Sequence, residues 1–380
     1  MKILLVSHSA DIGGAELCFV EMLKALSDSN KYKLYTVFPS DGKLVDLCRP
    51  YCENTFKCYL PWWVDDKVFT LREKFNRFVN ILASTKKAYK IIGEVKPDLI
   101  ITNTSTIPGF AIASFFTQSK HCWFIHELVD EDFESNFIFG KSLSKRIVSY
   151  TSKLVLVISE LVKSRYIGIV KESKIWKINQ PVQIDEVFAN KTSKDDSALN
   201  LMIIGNIMPH KGQVEAVLAC KELLKWKINF KLMIVGLTPY SKLDGLIEII
   251  DDDLKQMIEF IPFTESPQFF YQKTDITLVC SRCEALGRVT IESMKMGTPV
   301  IASNTGANIE LIKDGVTGFL YEYGNPRDLA EKIIKVSKLT NLSEIAESGR
   351  AWSMTHFNFN LFRSELNESI RSAFGSDKCF

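Results

Sequence analysis

The sequence has no long hydrophobic run. Nowhere do about 18 uncharged apolar residues follow one another, so a membrane-spanning helix is excluded by length. It also has little net charge: 47 Lys and Arg stand against 45 Asp and Glu, a formal balance of +2. A chain built to hold nucleic acid carries a marked basic excess, so nucleic acid is not an expected partner, although near neutrality leaves room for a local basic face. Cysteine is sparse, nine in 380 residues. An odd number scattered along a long chain lacks the density of a secreted disulfide scaffold, which points to reduced thiols and a cytoplasmic location. The brief apolar run at the N-terminus stops at Ser7 and is too short for the core of a signal peptide.

What is present is apolar content of 46% over a length that, at roughly 150 residues per domain, predicts two domains with substantial cores. Short runs rich in Val and Ile alternate with stretches of helical period, the pattern of a parallel sheet with crossover helices. In the first half, strands are expected at Lys2 to Ser7, Tyr32 to Phe38, Asp98 to Thr102, Cys122 to His126 and Leu154 to Ser159. In the second half they are expected at Leu199 to Gly205, Lys231 to Gly236, Ile258 to Phe263, Ile276 to Cys280, Pro299 to Ala302 and Gly318 to Tyr321. The polar, charged stretch Asn190 to Ser197, preceded by Gln180-Pro181-Val182, reads as a linker. The expected division is therefore 1–180, a linker 181–198, a second domain 199–355 and a C-terminal segment 356–380. Ligands of open α/β sheets lie beyond the carboxyl ends of the strands, so the loops that lead from strand to helix carry the chemistry.

The most informative of these loops runs from Val279 to Ser303. A strand ends near Cys280, a loop holds Glu284 and Gly287, and a short helix follows until Gly297 and Pro299 stop it. The backbone N–H groups of Leu286, Gly287, Arg288 and Val289 point out of the positive end of that helix, where an anion is favoured. Glu284 lies before the helix and Glu292 inside it. Carboxylates beside an anion site repel it unless they bind something else, and a sugar diol, which donates two hydrogen bonds, is a suitable partner. Amides for a diphosphate and carboxylates for hydroxyls together fit a nucleotide sugar. As isolated features, Glu284 reads as a capping carboxylate and Glu292 as a solvated helix residue; their surroundings reverse that reading.

The stretch from Ser281 to Gly318, with Ser303-Asn304-Thr305-Gly306 and Asp314-Gly315-Val316-Thr317-Gly318-Phe319-Leu320, resembles the donor-binding half of the retaining glycosyltransferases of family 4. That resemblance implies an α/β fold of the GT-B type, two Rossmann-like domains facing each other across a cleft. It implies transfer of a sugar from a nucleotide diphosphate sugar, UDP- or GDP-linked, to a hydroxyl of a saccharide or lipid-linked saccharide, with retained anomeric configuration. Bacterial surface polysaccharide or lipopolysaccharide synthesis is the expected setting. Donor binding is implied for Gly13, Gly14, Asn206, Lys211, Glu284, Ala285, Leu286, Gly287, Arg288 and Glu292, and catalytic roles for His126, Lys211 and Glu284.

Lys211 lies in Gly205-Asn206-Ile207-Met208-Pro209-His210-Lys211-Gly212, at the start of a helix, where a cation is misplaced by dipole logic unless an anion sits there. The family commonly has a basic residue where this chain has Asn206, so more of the diphosphate charge falls to Lys211. In the first half, Gly13 and Gly14 lie in a glycine loop before a helix, without the spacing of a dinucleotide fingerprint. By the resemblance they face the donor phosphate. His126 ends a strand where the family often has a histidine near the transferred sugar, and it is expected to hydrogen-bond that sugar.

Other features compete. Asp130-Glu131-Asp132 and Asp251-Asp252-Asp253 resemble metal-binding aspartate runs but read better as solvated surface. Cys280 and Cys283 have zinc-like spacing without a second matching pair. No cofactor and no metal are expected. Trp62 and Trp63 fit core packing, stacking on an acceptor sugar, or a lipid interface. Lys141, Lys145, Arg146 and Lys153, with Leu143, Ile147 and Val148, form a basic amphipathic segment suited to an anionic membrane surface at the inner face of the cell membrane or to plain solvation. The C-terminal helix, Phe359 to Phe374, is expected to pack back on the first domain. Two rival functions stay open: a GT-B-like sugar-nucleotide epimerase, and a non-catalytic sugar-nucleotide sensor.

Overall fold

The computed structural model describes residues 1–28, 31–65, 69–129, 136–184 and 198–374. The acidic run Asp130-Glu131-Asp132 and most of the expected linker lie outside the described residues. The chain divides into two units, Met1–Pro181 with Asn358–Phe380, and Val182–Phe357.

The first unit is built on strands β1 (Lys2–Ser7), β2 (Lys33–Phe38), β3 (Asn54–Lys57), β4 (Val64–Asp65), β5 (Leu99–Asn103), β6 (Lys120–Ile125), β7 (Asn136–Phe137), β8 (Leu154–Val157) and β9 (Ile175–Lys177). Seven of them form one parallel sheet in the order β3-β2-β1-β5-β6-β8-β9, while β4 and β7 pair antiparallel on their own. The central strands read as near-continuous apolar runs, such as Ile3-Leu4-Leu5-Val6, all fully buried, because helices cover both faces of a parallel sheet. Sequence reasoning passes over β3 and β9, which are short and lie at the sheet edges, where one-sided pairing leaves a weaker apolar signal.

The helix Phe359–Phe374 packs in this first unit against the helix Gly14–Ser27. Phe362 is fully buried and stacks on Phe124, and Glu365 accepts hydrogen bonds from the Asn179 backbone N–H at 2.7 Å and its side-chain amide at 3.1 Å.

The second unit repeats the plan with β10 (Leu199–Ile204), β11 (Phe230–Leu237), β12 (Ile258–Pro262), β13 (Ile276–Val279), β14 (Val300–Ser303) and β15 (Phe319–Tyr321). All are parallel, in the order β12-β11-β10-β13-β14-β15. This is the doubly wound order in which the chain reverses direction beside the first strand, so the crevice opens between the carboxyl ends of β10 and β13. In the first unit the same reversal lies between β1 and β5.

Candidate functional site

At the β10/β13 switch point two loops meet. The Arg282 backbone N–H donates to the His210 carbonyl at 2.9 Å, joining the loop after β13 to the loop after β10. The Ser281 carbonyl accepts from Ser303 Oγ at 2.7 Å and Thr305 Oγ1 at 3.2 Å, and the Ala307 N–H donates to the Glu284 carbonyl at 2.7 Å. Gly212 and Gly306 permit this closeness. Their φ angles are positive, 76° for Gly212 and 59° for Gly306. A Cβ on either would run into backbone, that of Cys280 for Gly212 and of Glu284 for Gly306, so glycine is required at both.

Thus Lys211 and Glu284, far apart in sequence, become partners. Lys211 Nζ lies 2.8 Å from Glu284 Oε1, and Ser281 Oγ donates to the same oxygen at 2.5 Å. Burial pushes the Glu284 carboxyl up, but the Lys211 charge and the hydrogen bonds from Lys211 and Ser281 outweigh it and hold the group below its ordinary range. Glu292 differs. Its oxygens meet the Tyr271 O–H at 3.3 Å and Arg288 Nη2 at 3.4 Å, and burial prevails, raising its carboxyl above the usual range. The two carboxylates therefore differ electrically: Glu284 is held ionised, while Glu292 is biased toward the neutral acid.

The helix Arg288–Lys295 starts at Gly287, whose φ of 79° has no side chain to cap the first turn. Ala285 and Leu286 are buried beneath the turn that leads into it, and Asn206 is exposed at the end of β10. The sequence thus picks out Lys211, Glu284, Glu292 and the Gly287 turn, and the fold brings them into one unit around one switch point. Sequence reasoning misses Ser281 and Tyr271. Ser281 is visible as a polar residue just beyond a strand end, whereas nothing local marks Tyr271, which reaches Glu292 from the helix Gln268–Lys273.

The first unit holds the other expected residues. Gly13 precedes the helix Gly14–Ser27 with extended backbone, φ −149°. Glu16 folds back over the start of its own helix, so that a Cβ at Gly13 would stand 2.6 Å from Glu16 Oε2. The carboxylate pairs with His8 Nε2 at 3.0 Å. Burial raises the Glu16 carboxyl, but the hydrogen bond and charge of His8 prevail and lower it overall.

His126 is buried between two amides. The Asn103 Nδ2 donates to the Ala15 carbonyl at 3.0 Å and the Gln180 Nε2 to the Gly14 carbonyl at 3.2 Å, so each amide turns its oxygen toward the imidazole. His126 Nε2 meets Asn103 Oδ1 at 2.8 Å and Nδ1 meets Gln180 Oε1 at 3.3 Å. Burial pushes the pKa of the ring down to about 3, against the smaller opposing effect of Gln180. A neutral ring has one N–H, and the shorter contact places it on Nε2. Nδ1, then an acceptor, is packed against the Gln180 amide oxygen, which also only accepts.

Two expectations require correction. Trp63 is not a surface for an acceptor or a lipid: it is fully buried, its Nε1 donates to the Ser105 carbonyl at 2.6 Å, and it stacks on Trp123 with Phe137 and Phe139 at its edges. Trp62 is the exposed member of the pair, at 41%. Lys145 does not extend the basic face either. It is buried, with Nζ donating to the Arg165 carbonyl at 3.2 Å over the Tyr166 ring. Asp251 is the N-cap of the helix Asp252–Lys255 and accepts from the Leu254 N–H at 3.2 Å, a structural role.

Among the described residues no helix is long and apolar enough to cross a membrane. Residues 184–351 match the family model for glycosyl transferases group 1. The capsular polysaccharide biosynthesis glycosyltransferase CapM of Staphylococcus aureus is 24% identical over 309 residues, 77% of this chain and 81% of that protein. An uncharacterized glycosyltransferase of Methanocaldococcus jannaschii is 31% identical over 153 residues, 40% of this chain and 42% of its own. Among solved structures, Anabaena HepE in complex with UDP-glucose superposes with a TM-score of 0.74 at 20% identity, covering 98% of this chain and 100% of HepE. The fold is that of the GT-B glycosyltransferases. The switch-point loops with their paired glutamates and lysine lie inside the segment, residues 184–351, that matches the glycosyl transferases group 1.

Proposed function

We propose that this glycosyltransferase moves a sugar from a nucleotide diphosphate sugar to a hydroxyl of a saccharide or lipid-linked saccharide, with retention, in the synthesis of a bacterial surface polysaccharide. The observation that carries the reading is the Lys211–Glu284 pair at 2.8 Å, in the same switch-point site as the uncapped helix start at Gly287. The reaction breaks the bond between the anomeric carbon and a phosphate oxygen, so its barrier is lowered by whatever holds the departing negative charge. Lys211 and the N–H groups at the start of the helix Arg288–Lys295 supply positive potential there without a metal. Glu284, ionised, accepts hydrogen bonds from hydroxyls of the transferred sugar, and Glu292 from the ribose. The acceptor oxygen bonds to the anomeric carbon on the face the phosphate leaves, and the acceptor proton passes to the departing phosphate oxygen.

The UDP-glucose complex of HepE supports a uridine nucleotide donor, and the likeness to CapM supports a capsule-type product. Association with the inner face of the cell membrane is part of the proposal. It is supported by the helix Leu71–Val95, whose first turns expose Leu71, Phe75, Phe78 and Val79 beside Arg72 and Lys74, the mixture that settles at a lipid interface.

A thermal-shift series with UDP, GDP, UDP-glucose and GDP-mannose tests the donor. A ligand held only by the folded protein raises the melting temperature, by an equivalent of about 2.7 kcal/mol at a hundred times its Kd. If none of the four shifts the transition, the reading is wrong. Anomeric assignment of the product by NMR tests retention, and turnover that is unchanged by EDTA tests metal independence.

A further inference from the structure

Of the two histidines at the β1/β5 end of the first unit, His126 has both ring nitrogens turned to protein amides. His8 has not. It stands directly after β1, its Nε2 paired with Glu16 Oε1 at 3.0 Å, each side chain with only 10% of its surface exposed. Its other nitrogen, Nδ1, is buried and has no partner among the described residues. A buried polar atom without a partner is destabilising, and such an atom at the end of a strand is a place for a hydrogen-bonding guest.

The Glu16 carboxylate orients the ring. An ionised carboxylate only accepts, so Nε2 carries a proton, and in the neutral ring Nδ1 presents a lone pair. Gly13 is what lets Glu16 take this position, since a Cβ there would stand 2.6 Å from its Oε2. Trp62 lies against the same imidazole, ring centroids 5.3 Å apart, and is 41% exposed. Its main chain is held on both sides. Arg77 Nη1 donates to the Trp62 carbonyl at 2.8 Å, and the next residue, Trp63, is anchored in the core. An exposed indole on a rigid main chain is a surface on which the apolar face of a sugar ring stacks.

We propose that His8, oriented by Glu16 and flanked by Trp62, is the acceptor-binding group of the first unit: Nδ1 accepts the hydrogen bond of an acceptor sugar hydroxyl, and the Trp62 indole stacks on that sugar. Rotation of the exposed Trp62 side chain uncovers Nδ1. This assignment rests on the glycosyltransferase reading and deepens it, adding a histidine contact to the acceptor sugar at His8 and giving the Gly13–Gly14 loop the task of making room for Glu16.

The test uses the full chain, UDP-glucose as donor and the octyl glycosides of glucose, galactose and N-acetylglucosamine as acceptor probes. His8→Phe, which keeps a ring and removes both nitrogens, is expected to raise the KM of the acceptor probe at least tenfold with the KM for UDP-glucose within twofold. Trp62→Ala, a change at an exposed residue that leaves the core intact, is expected to raise acceptor KM by a similar factor, and Trp62→Phe to restore most of it. Glu16→Gln is expected to fall between His8→Phe and wild type. Acceptor KM within twofold of wild type in both His8→Phe and Trp62→Ala, or donor and acceptor KM rising together, overturns the assignment while donor binding stands. Absence of any melting shift with nucleotide sugars overturns the glycosyltransferase reading itself, and this assignment with it.

Discussion

Replacing Lys211 by Met removes the cation that stands 2.8 Å from Glu284 and leaves the carboxylate with Ser281. At that separation and an effective dielectric of about 20, the gross attraction is about 6 kcal/mol. Desolvation of the two charges offsets most of it. Lys211 also keeps 31% of its side-chain surface in water. A coupling of about 1–2 kcal/mol is therefore expected. The sign with pH follows from the direction of the Glu284 shift. Its folded carboxyl titrates below the ordinary 4.5, so the stabilisation is present above about that pH and is lost as pH falls through the folded value. Without Lys211, burial dominates and the stabilisation at neutral pH is gone. Urea unfolding of wild type, Lys211→Met, Glu284→Gln and the double variant from pH 7 down to pH 3.5 gives the cycle directly. The stability gap between wild type and Lys211→Met should be widest at pH 7 and close toward pH 3.5, and the double variant should cost less than the sum of the singles. A gap that stays constant with pH, or additivity within about 0.3 kcal/mol, refutes the electrostatic account of the site. In the same variant kcat should fall roughly 100- to 1,000-fold, as when one preorganised charge-stabilising group is lost.

Glu292 has the opposite sign. Its folded carboxyl is raised above the ordinary 4.5 by burial, so folding favours the neutral acid, a contribution complete below about that pH and lost as pH rises through the folded value. Glu292→Gln should therefore raise the melting temperature at pH 7 but not at pH 4, while donor affinity drops. Gly306→Ala places a methyl group against the Glu284 backbone at a φ of 59°. It should cost about 2–4 kcal/mol in urea unfolding, together with donor binding. Adjacent tryptophans should part company: Trp63→Ala loses about 3–5 kcal/mol of stability through the cavity it leaves, whereas Trp62→Ala loses under about 1 kcal/mol, both read from denaturant midpoints.

How much could be read without the fold depends on how far apart the partners lie. Buried parallel strands such as β1 and β10 announce themselves as apolar runs followed by a glycine-bearing loop and a helical period, and they fall where the pattern places them. Edge strands β3 and β9 do not, because half of their pairing is missing. The segment from Val279 to Ser303 is legible because strand end, turn glycine, helix start and both glutamates lie within one contiguous stretch. Its pairings are not: Tyr271, which nothing local marks, reaches Glu292, and Lys211, although singled out for its place at a helix start, reaches Glu284 from another element.

By itself, the sequence determined the two α/β halves, the central strands of each and the residue types of the candidate site, since local periodicity and helix-start chemistry act over a few residues. Only the tertiary structure decided which residue of each similar pair serves which purpose. Trp63 is core and Trp62 surface because Thr106 and Ile138 bind the Trp63 main chain and Trp123 stacks on its ring. His126 is neutral and enclosed because Asn103 and Gln180 reach it from other parts of the chain, while His8 keeps one nitrogen without a partner among the described residues because Glu16 takes only the other. Burial and hydrogen-bond accounting are set by neighbours in space, and a linear pattern carries no record of them.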